Sequence, residues 1–178
     1  MDHQTSKYLM LIRPRNFSSN EQTLSSNDFQ NGISESSNLS EIRKNVDSEF
    51  TNMIGLLSQH QIEHIVFDDI KDLGSPDAIF PNNWITFHED GTIVLYPMMS
   101  TKRRNERRLD IIDSLSSYGF SVSNIIDLSY LENQSEYLEG TGSMILDRVS
   151  KKAYASISSR TTKQGLSVFS DIMNYQII

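Results

Sequence analysis

The sequence contains no cysteine. This absence excludes disulfides, thiolate metal sites and any reaction in which a thiol of this chain attacks a substrate. The four histidines have no spacing typical of metal ligands, and no Walker loop, dinucleotide fingerprint or zinc signature occurs. We therefore predict a protein that uses neither a metal nor a cofactor.

Long apolar runs and a positive net charge are missing as well. No run approaches the roughly 18 residues that a membrane span needs, and the opening Asp2-His3-Gln4 lacks the layout of a signal peptide. The formal net charge of -7 gives no electrostatic reason to bind nucleic acid or an anionic lipid surface. We expect a cytoplasmic protein without nucleic-acid or membrane partners.

What is present alternates between strand and helix patterns. Two apolar runs flank Asp90-Gly91, a pair that suits the turn of a hairpin. Asn38 with Glu41, and Thr161 with Gln164, are spaced as capping boxes at helix starts. The sequence predicts strands at Tyr8 to Ile12, Ile62 to Phe67, Trp84 to Phe87, Thr92 to Tyr96, Ser121 to Asp127, Met144 to Asp147, Ala153 to Ile157 and Tyr175 to Ile178, and helices at Ser40 to Gln59, Arg103 to Tyr118 and Thr161 to Asn174.

This order, roughly strand-strand-helix repeated, is typical of an α/β fold with more than one repeat unit. Residues 16–40, rich in serine and asparagine, are predicted as loop, and the first strand is predicted to be buried. The whole chain, residues 1–178, is predicted to form a single and incomplete domain, because its last residues have the pattern of a buried strand.

Two loops could display ligand-binding groups. One contains Asp77, Asn82, Asn83 and the only tryptophan, Trp84, just before a strand. It could equally be a polar turn whose asparagines cap backbone groups. The other places Glu139 beside two glycines, where a carboxylate could hold a guanidinium or orient a histidine, unless it simply faces water.

Basic residues form a third candidate. Arg103 and Arg104 belong to the dense cluster of residues 102–108, which could attract a carboxylate-bearing substrate or form a solvated helix face. Arg160 precedes a predicted helix start, where anions are favoured. Among the histidines only His88, at the end of a predicted strand, is a candidate, and a surface role is the alternative.

Taken in order, these segments resemble the amidinotransferase-like branch of the guanidino-group-modifying enzymes, often called arginine deiminase-related or citrulline-utilisation hydrolases. The resemblance runs from about Leu11 to the last residue and rests on Arg13-Pro14, Asn16-Phe17, Asn20 to Thr23, Pro76 to Trp84, Asp90 to Met98, Arg103 to Arg108, Leu138 to Arg148 and Ser159 to Thr161.

The resemblance implies a pentein fold, a β/α propeller of five strand-strand-helix-strand modules around a central site, of which this chain would hold about three. It also implies residue roles. Glu139 corresponds to an acid that orients the catalytic histidine or the substrate. Asp77, Asn82 and Asn83 correspond to substrate-contacting groups, and Arg160 with Arg103 or Arg104 to the arginines that hold a substrate carboxylate.

Members of these families act through a cysteine that attacks the guanidino carbon, while a histidine moves protons. The resemblance therefore implies the N-terminal part of a hydrolase or amidinotransferase for arginine- or citrulline-like amino acids, without its nucleophile. Because amides stand where the deiminase relatives have acids, a citrulline-like substrate fits better. Three alternatives stay open: a non-catalytic binding or interaction protein, half of a split enzyme completed by a second chain, and an unrelated α/β protein.

Overall fold

The computed structural model describes residues 4–23, 38–70 and 74–178, and the chain divides into two compact units. The N-terminal unit is Ser6–Pro81. The C-terminal unit is Asn82–Ile178 and also includes Gln4 and Thr5. Residues 24–37, the greater part of the predicted loop, lie outside the described residues.

The N-terminal unit contains two parallel strands joined through a long helix. Strand β1 (Tyr8–Arg13) pairs with β2 (Glu63–Asp68), and helix α1 (Leu39–Gln59) connects them. The helix begins where its cap predicts, because the Asn38 side chain accepts hydrogen bonds from the amides of Ser40 and Glu41. The prediction of a buried first strand is wrong: only Ile12 of β1 is buried, since among the described residues β1 pairs with β2 alone.

The C-terminal unit contains the remaining elements. In chain order they are a 3₁₀ helix (Pro81–Asn83, which begins one residue before the unit), β3 (Ile85–Phe87), β4 (Thr92–Leu95), α2 (Thr101–Arg104), α3 (Leu109–Ser114), a 3₁₀ helix (Leu115–Tyr118), β5 (Asn124–Asp127), a 3₁₀ helix (Ser129–Gln134), α4 (Gly140–Ser143), β6 (Met144–Asp147), β7 (Lys152–Ala155), α5 (Lys163–Met173) and β8 (Gln176–Ile177).

Two three-stranded sheets in this unit have the same topology. Each begins with an antiparallel pair, β3 with β4 and β6 with β7, and each ends with a strand that returns parallel to the second one, β5 or β8. A helical segment precedes each returning strand, as parallel pairing requires. The predicted α/β class and the strand-strand-helix repetition are thus confirmed.

The two sheets share a core with α5. Val94 and Tyr96 from the first sheet region pack with Met144, Leu146 and Ala153 from the second, and all are buried. The ring of Phe169 on α5 lies 6.1 Å from that of Tyr96 and 5.4 Å from that of Tyr175, measured between centroids. This core fixes the loops after β4 and before β6, which carry the candidate site.

Two predicted helix boundaries are wrong. The predicted helix at Arg103–Tyr118 is interrupted: α2 ends at Arg104, α3 begins at Leu109, and a 3₁₀ turn leads to Gly119 in the left-handed conformation. The last helix is capped by Thr162, not by Thr161, because the Thr162 side chain accepts from the amide of Gly165. The preceding Thr161 instead forms bridges with Leu138 and Ser158.

Candidate functional site

A buried carboxylate, that of Glu139, lies at the centre of the site. Its side chain is 1% exposed to solvent and occupies the position just before α4. The Oε2 atom accepts a hydrogen bond from Nδ2 of Asn83 at 3.2 Å, and Oε1 accepts from the backbone amide of Met99 at 3.2 Å. Two segments distant in sequence therefore meet at this one carboxyl group.

Two arginines balance the charge of Glu139. Nη1 of Arg103 lies 3.7 Å and Nη1 of Arg160 lies 3.5 Å from Oε2. The Arg103 side chain is only 3% exposed and also pairs with Glu106, with Nη2 at 2.8 Å from its Oε2. The Arg160 side chain is 26% exposed, so it stays partly accessible to solvent.

Glycines bring the Asn82-Asn83 segment against α4. Gly140 has a φ of +46°, and a Cβ at this position would collide with the carbonyl oxygens of Asn82 and Asn83. A Cβ on Gly142 would lie 2.6 Å from Nδ2 of Asn83. The two glycines therefore allow the close approach that places the Asn83 amide on Glu139.

A chain of hydroxyl groups connects Glu139 to the segment of Arg160. The Ser143 hydroxyl accepts from the Glu139 amide at 3.0 Å and donates to the carbonyl of Arg160 at 3.1 Å. The Thr161 hydroxyl in turn donates to Ser143 at 2.8 Å. These bonds fix the backbone that carries Arg160 next to the carboxylate.

The structure thus brings together four of the residues predicted for the site: Glu139, Asn83, Arg103 and Arg160. Arg104 adjoins them, since its Nε donates to the carbonyl of Met98 at 3.0 Å. The alternative of a solvated face does not hold for Arg103, which is buried with Glu106. Whether these residues perform the predicted roles stays a prediction.

Asn82 and Asp77 are placed differently. Asn82 is exposed. Its backbone carbonyl oxygen accepts a hydrogen bond from the Thr141 hydroxyl at 3.4 Å. Asp77 belongs to the N-terminal unit, where its carboxylate accepts from Nδ2 of Asn20 at 2.7 Å. Trp84, next to the asparagines, lies in the core at 1% exposure.

His88 belongs to a separate polar network in the C-terminal unit. Its Nδ1 lies 3.3 Å from Nη1 of Arg148, and its Nε2 lies 3.1 Å from the hydroxyl of Thr86, which also bonds the hydroxyl of Tyr96. Because a guanidinium can only donate, Nδ1 accepts and the ring proton lies on Nε2. Burial, followed by the charge of Arg148, lowers the pKa of His88 from 6.5 to about 4.

Sequence reasoning missed Glu106, Glu132 and Ser143. Glu106 follows Arg103 at the i,i+3 spacing of a helical ion pair, which was the available signal. Glu132 pairs with Arg104 and Arg107, and nothing local in the sequence indicates this, since Glu132 lies 25 residues beyond Arg107.

Neither a metal cluster nor a membrane-spanning helix occurs in the described part of the chain. Within residues 4–23, 38–70 and 74–178 no group of three or more histidine, aspartate and glutamate side chains could hold a metal ion. In those same ranges, no helix combines the length and the apolarity that crossing a membrane demands.

Comparison with known families decides the relationship. Residues 13–178 match the model of the family described as N,N dimethylarginine dimethylhydrolase, eukaryotic. The chain belongs to this family. The predicted resemblance to the guanidino-group-modifying superfamily is therefore confirmed, and the matches fit the N-terminal portion of such proteins. A search of curated proteins finds no match for this dimethylarginine dimethylhydrolase family member.

Solved structures share its fold. The N-terminal domain of ArgZ bound to substrate, an arginine dihydrolase from the ornithine-ammonia cycle in cyanobacteria, superposes with a TM-score of 0.69 at 15% identity, over 96% of this chain and 56% of that chain. A dimethylarginine dimethylaminohydrolase adduct with S-methyl-L-thiocitrulline superposes with a TM-score of 0.63 at 12% identity, over 97% and 60%.

A third structure, the ternary complex of AgrE with ornithine and NAD+, gives a TM-score of 0.65 at 18% identity, over 92% of this chain and 21% of that chain. At these identities the likeness concerns the fold alone. The family member described here spans little more than half the length of the ArgZ domain and of the dimethylarginine enzyme.

Gly142→Ala should displace the Asn83 side chain from Glu139, because the new Cβ needs the space that the Asn83 amide occupies. We expect a loss of about 1–3 kcal/mol in the free energy of unfolding, measured by urea denaturation. Gly55→Ala is the matched control: it lies in α1 with open space around it and should stabilise by about 0.5–1 kcal/mol. A Gly142→Ala protein as stable as wild type would contradict the proposed contact.

The low pKa of His88 predicts a pH-dependent stability. Between pH 6.5 and about 4 the unfolded state binds the proton and the folded state does not, so stability falls as pH falls through this window. Allowing for partial solvent exposure, the loss should be on the order of 2 kcal/mol. Urea denaturation across pH 4 to 7 should show a shallower slope for His88→Gln than for wild type. The control His60→Gln, at an exposed residue, should keep the wild-type slope.

Proposed function

We propose that this chain is the N-terminal part of an enzyme, a hydrolase or amidinotransferase, that acts on non-peptide C–N bonds of arginine- or citrulline-like amino acids. It would form a single incomplete domain with about three of the five modules of a pentein propeller. The observation that carries the proposal is the buried Glu139 carboxylate, held between Arg103, Arg160 and Asn83.

The charges around this cluster support an anionic ligand group. The cluster contains four arginines, at 103, 104, 107 and 160, and three glutamates, at 106, 132 and 139. The excess of one positive charge suits the α-carboxylate of a free amino acid. Arg160 is the partly exposed arginine paired with Glu139, and its planar fork matches carboxylate geometry.

The reactive tail of the substrate would lie toward Glu139 and Asn83. Because Nδ2 of Asn83 donates to Glu139, the amide is fixed with its oxygen directed elsewhere. A neutral ureido tail could bond such an amide without the ion pair that a guanidinium favours. This supports a citrulline-like compound. The ligand named in the dimethylarginine enzyme structure, S-methyl-L-thiocitrulline, belongs to the wider class of arginine- or citrulline-like amino acids.

The covalent step lies outside this chain. Attack on a guanidino or ureido carbon by the superfamily's mechanism needs a thiolate, and no residue of the 178 is a cysteine. In the proposal the cysteine and the catalytic histidine come from a further polypeptide segment. Sequencing the transcript and the neighbouring gene for a histidine followed by a cysteine would identify that segment. No cofactor is required, and a cytoplasmic location remains part of the proposal.

A second candidate function is a protein that binds the amino acid with the same residues but catalyses no reaction. The absence of cysteine favours this function. Calorimetric titration of the chain with citrulline and with arginine distinguishes the two candidate functions. Millimolar or tighter binding by this chain alone supports the binding protein, whereas no binding supports an incomplete enzyme that needs its other segment.

If the chain binds either amino acid, Arg160→Gln should weaken binding about tenfold or more, because a charge-assisted hydrogen bond contributes about 1.5 kcal/mol or more. Arg108→Gln is the matched control, since Arg108 is an arginine of the basic segment 102–108 that pairs with Asp110. Equal losses in the two variants, or unchanged binding by Arg160→Gln, would remove the role assigned to Arg160.

The chain by itself should not turn over arginine or citrulline. Loss of a nucleophile from a concerted catalytic group costs on the order of a million-fold in rate. Incubation with either amino acid, followed by chromatographic analysis for ornithine, citrulline and ammonia, should show no product above the buffer blank. Product formation at ordinary enzymatic rates would sink the mechanism proposed here.

A further inference from the structure

The loop between β4 and α2 is held by charged side chains as well as by backbone hydrogen bonds from Tyr96 to Trp84 and from Leu138 to Pro97. The carbonyl of Tyr96 accepts from Nη1 of Arg107 at 3.3 Å, and the carbonyl of Met98 accepts from Nε of Arg104 at 3.0 Å. The amide of Met98 donates to Oε1 of Glu132 at 2.8 Å. Buried backbone groups of this loop thus depend on charged side chains for their hydrogen bonds.

Glu132 connects these contacts. It lies in the 3₁₀ helix Ser129–Gln134, and its side chain is 8% exposed. Its Oε2 accepts from Nη2 of Arg107 at 3.0 Å and lies 3.2 Å from Nε of Arg104, while its Oε1 pairs with Nη1 of Arg107. We refer to Arg104, Arg107 and Glu132 as the loop clamp.

The loop clamp holds Met98, and the next residue, Met99, bonds Glu139. Met98 donates its amide to Glu132, and the next residue, Met99, donates its amide to Glu139 at 3.2 Å. The Met98 carbonyl, which accepts from Arg104, and the Met99 amide belong to one planar peptide, so the bond from Arg104 limits the orientation of the Met99 N–H. The same loop leads directly into α2, which carries Arg103.

We infer that Glu132 is a positioning residue for the pair of Glu139 and Arg103. By holding the Met98 amide and pairing with Arg104, which bonds the Met98 carbonyl, it keeps the Met99 amide on Glu139 and sets where α2 presents Arg103. The effect on the backbone is independent of the function proposed above. The effect on ligand binding rests on that proposed function, because it requires that Glu139 and Arg103 line the ligand site.

Amide hydrogen exchange measured by NMR tests the backbone effect without any ligand. In Glu132→Ala the exchange of the Met98 and Met99 amides should become about tenfold faster or more, as expected for loss of a charge-assisted hydrogen bond. The amide of Val94, a fully buried residue of β4, should change less than about twofold, because the core is untouched. Glu89→Gln, at an exposed turn residue, is the control and should match wild type.

Glu132→Gln provides a milder variant if the alanine protein does not fold. Its amide oxygen can still accept from Met98, so Met98 should stay close to its wild-type protection. Met99 should exchange faster, since the neutral side chain no longer anchors Arg104 and Arg107.

Two outcomes overturn the inference. Faster exchange at Met98 with an unchanged Met99 would mean that Glu132 holds only its own amide. Equal acceleration at Met98, Met99 and Val94 would mean a general loss of stability rather than positioning.

Calorimetry with citrulline and arginine tests the effect on the ligand, at a temperature where both proteins are folded. If wild type binds, Glu132→Ala should bind at least about fivefold more weakly, and unchanged affinity would overturn the positioning of the ligand site. If wild type binds neither compound, the result supports the incomplete enzyme proposed above, and the exchange of the Met99 amide alone then decides whether Glu132 positions Glu139.

Discussion

The buried carboxylate of Glu139 is the group on which the arrangement of the C-terminal unit depends. Removing a charge from water costs several kcal/mol unless partners replace the lost hydration. Here the partners come from four places: Asn83 before β3, Met99 after β4, Arg103 on α2 and Arg160 before α5. Each loop therefore has to reach the carboxylate, and together they converge on one point.

Other charged side chains of the unit also pair with partners of opposite sign. Arg103 lies between Glu139 and Glu106, and Glu132 lies between Arg104 and Arg107. Most of these groups are nearly excluded from solvent, where attraction between opposite charges is stronger than at the surface. Such a network favours one arrangement of the loops, because a shifted loop would leave a buried charge without a partner.

The family relationship suggests a chemical role for this network, and the absence of cysteine limits which reactions the chain can perform. In the function proposed above, such fixed polar groups would orient a small amino acid. A chain without any thiol can hold and orient the compound, but it cannot form a covalent intermediate through cysteine. In the proposed function, binding and chemistry are therefore separable.

Local sequence determined the regular elements: hydrophobic patterns located nearly every strand, Asn38 located the start of α1, and Asp90-Gly91 located a hairpin. It also excluded cysteine chemistry outright. Tertiary structure alone decided which loops meet. Glu132 and Arg107 are 25 residues apart, and Asn83 and Glu139 are 56 apart, so no local pattern could pair them. Short-range periodicity reports which face of an element is apolar, whereas the meeting of distant polar groups follows from how the sheets and α5 pack.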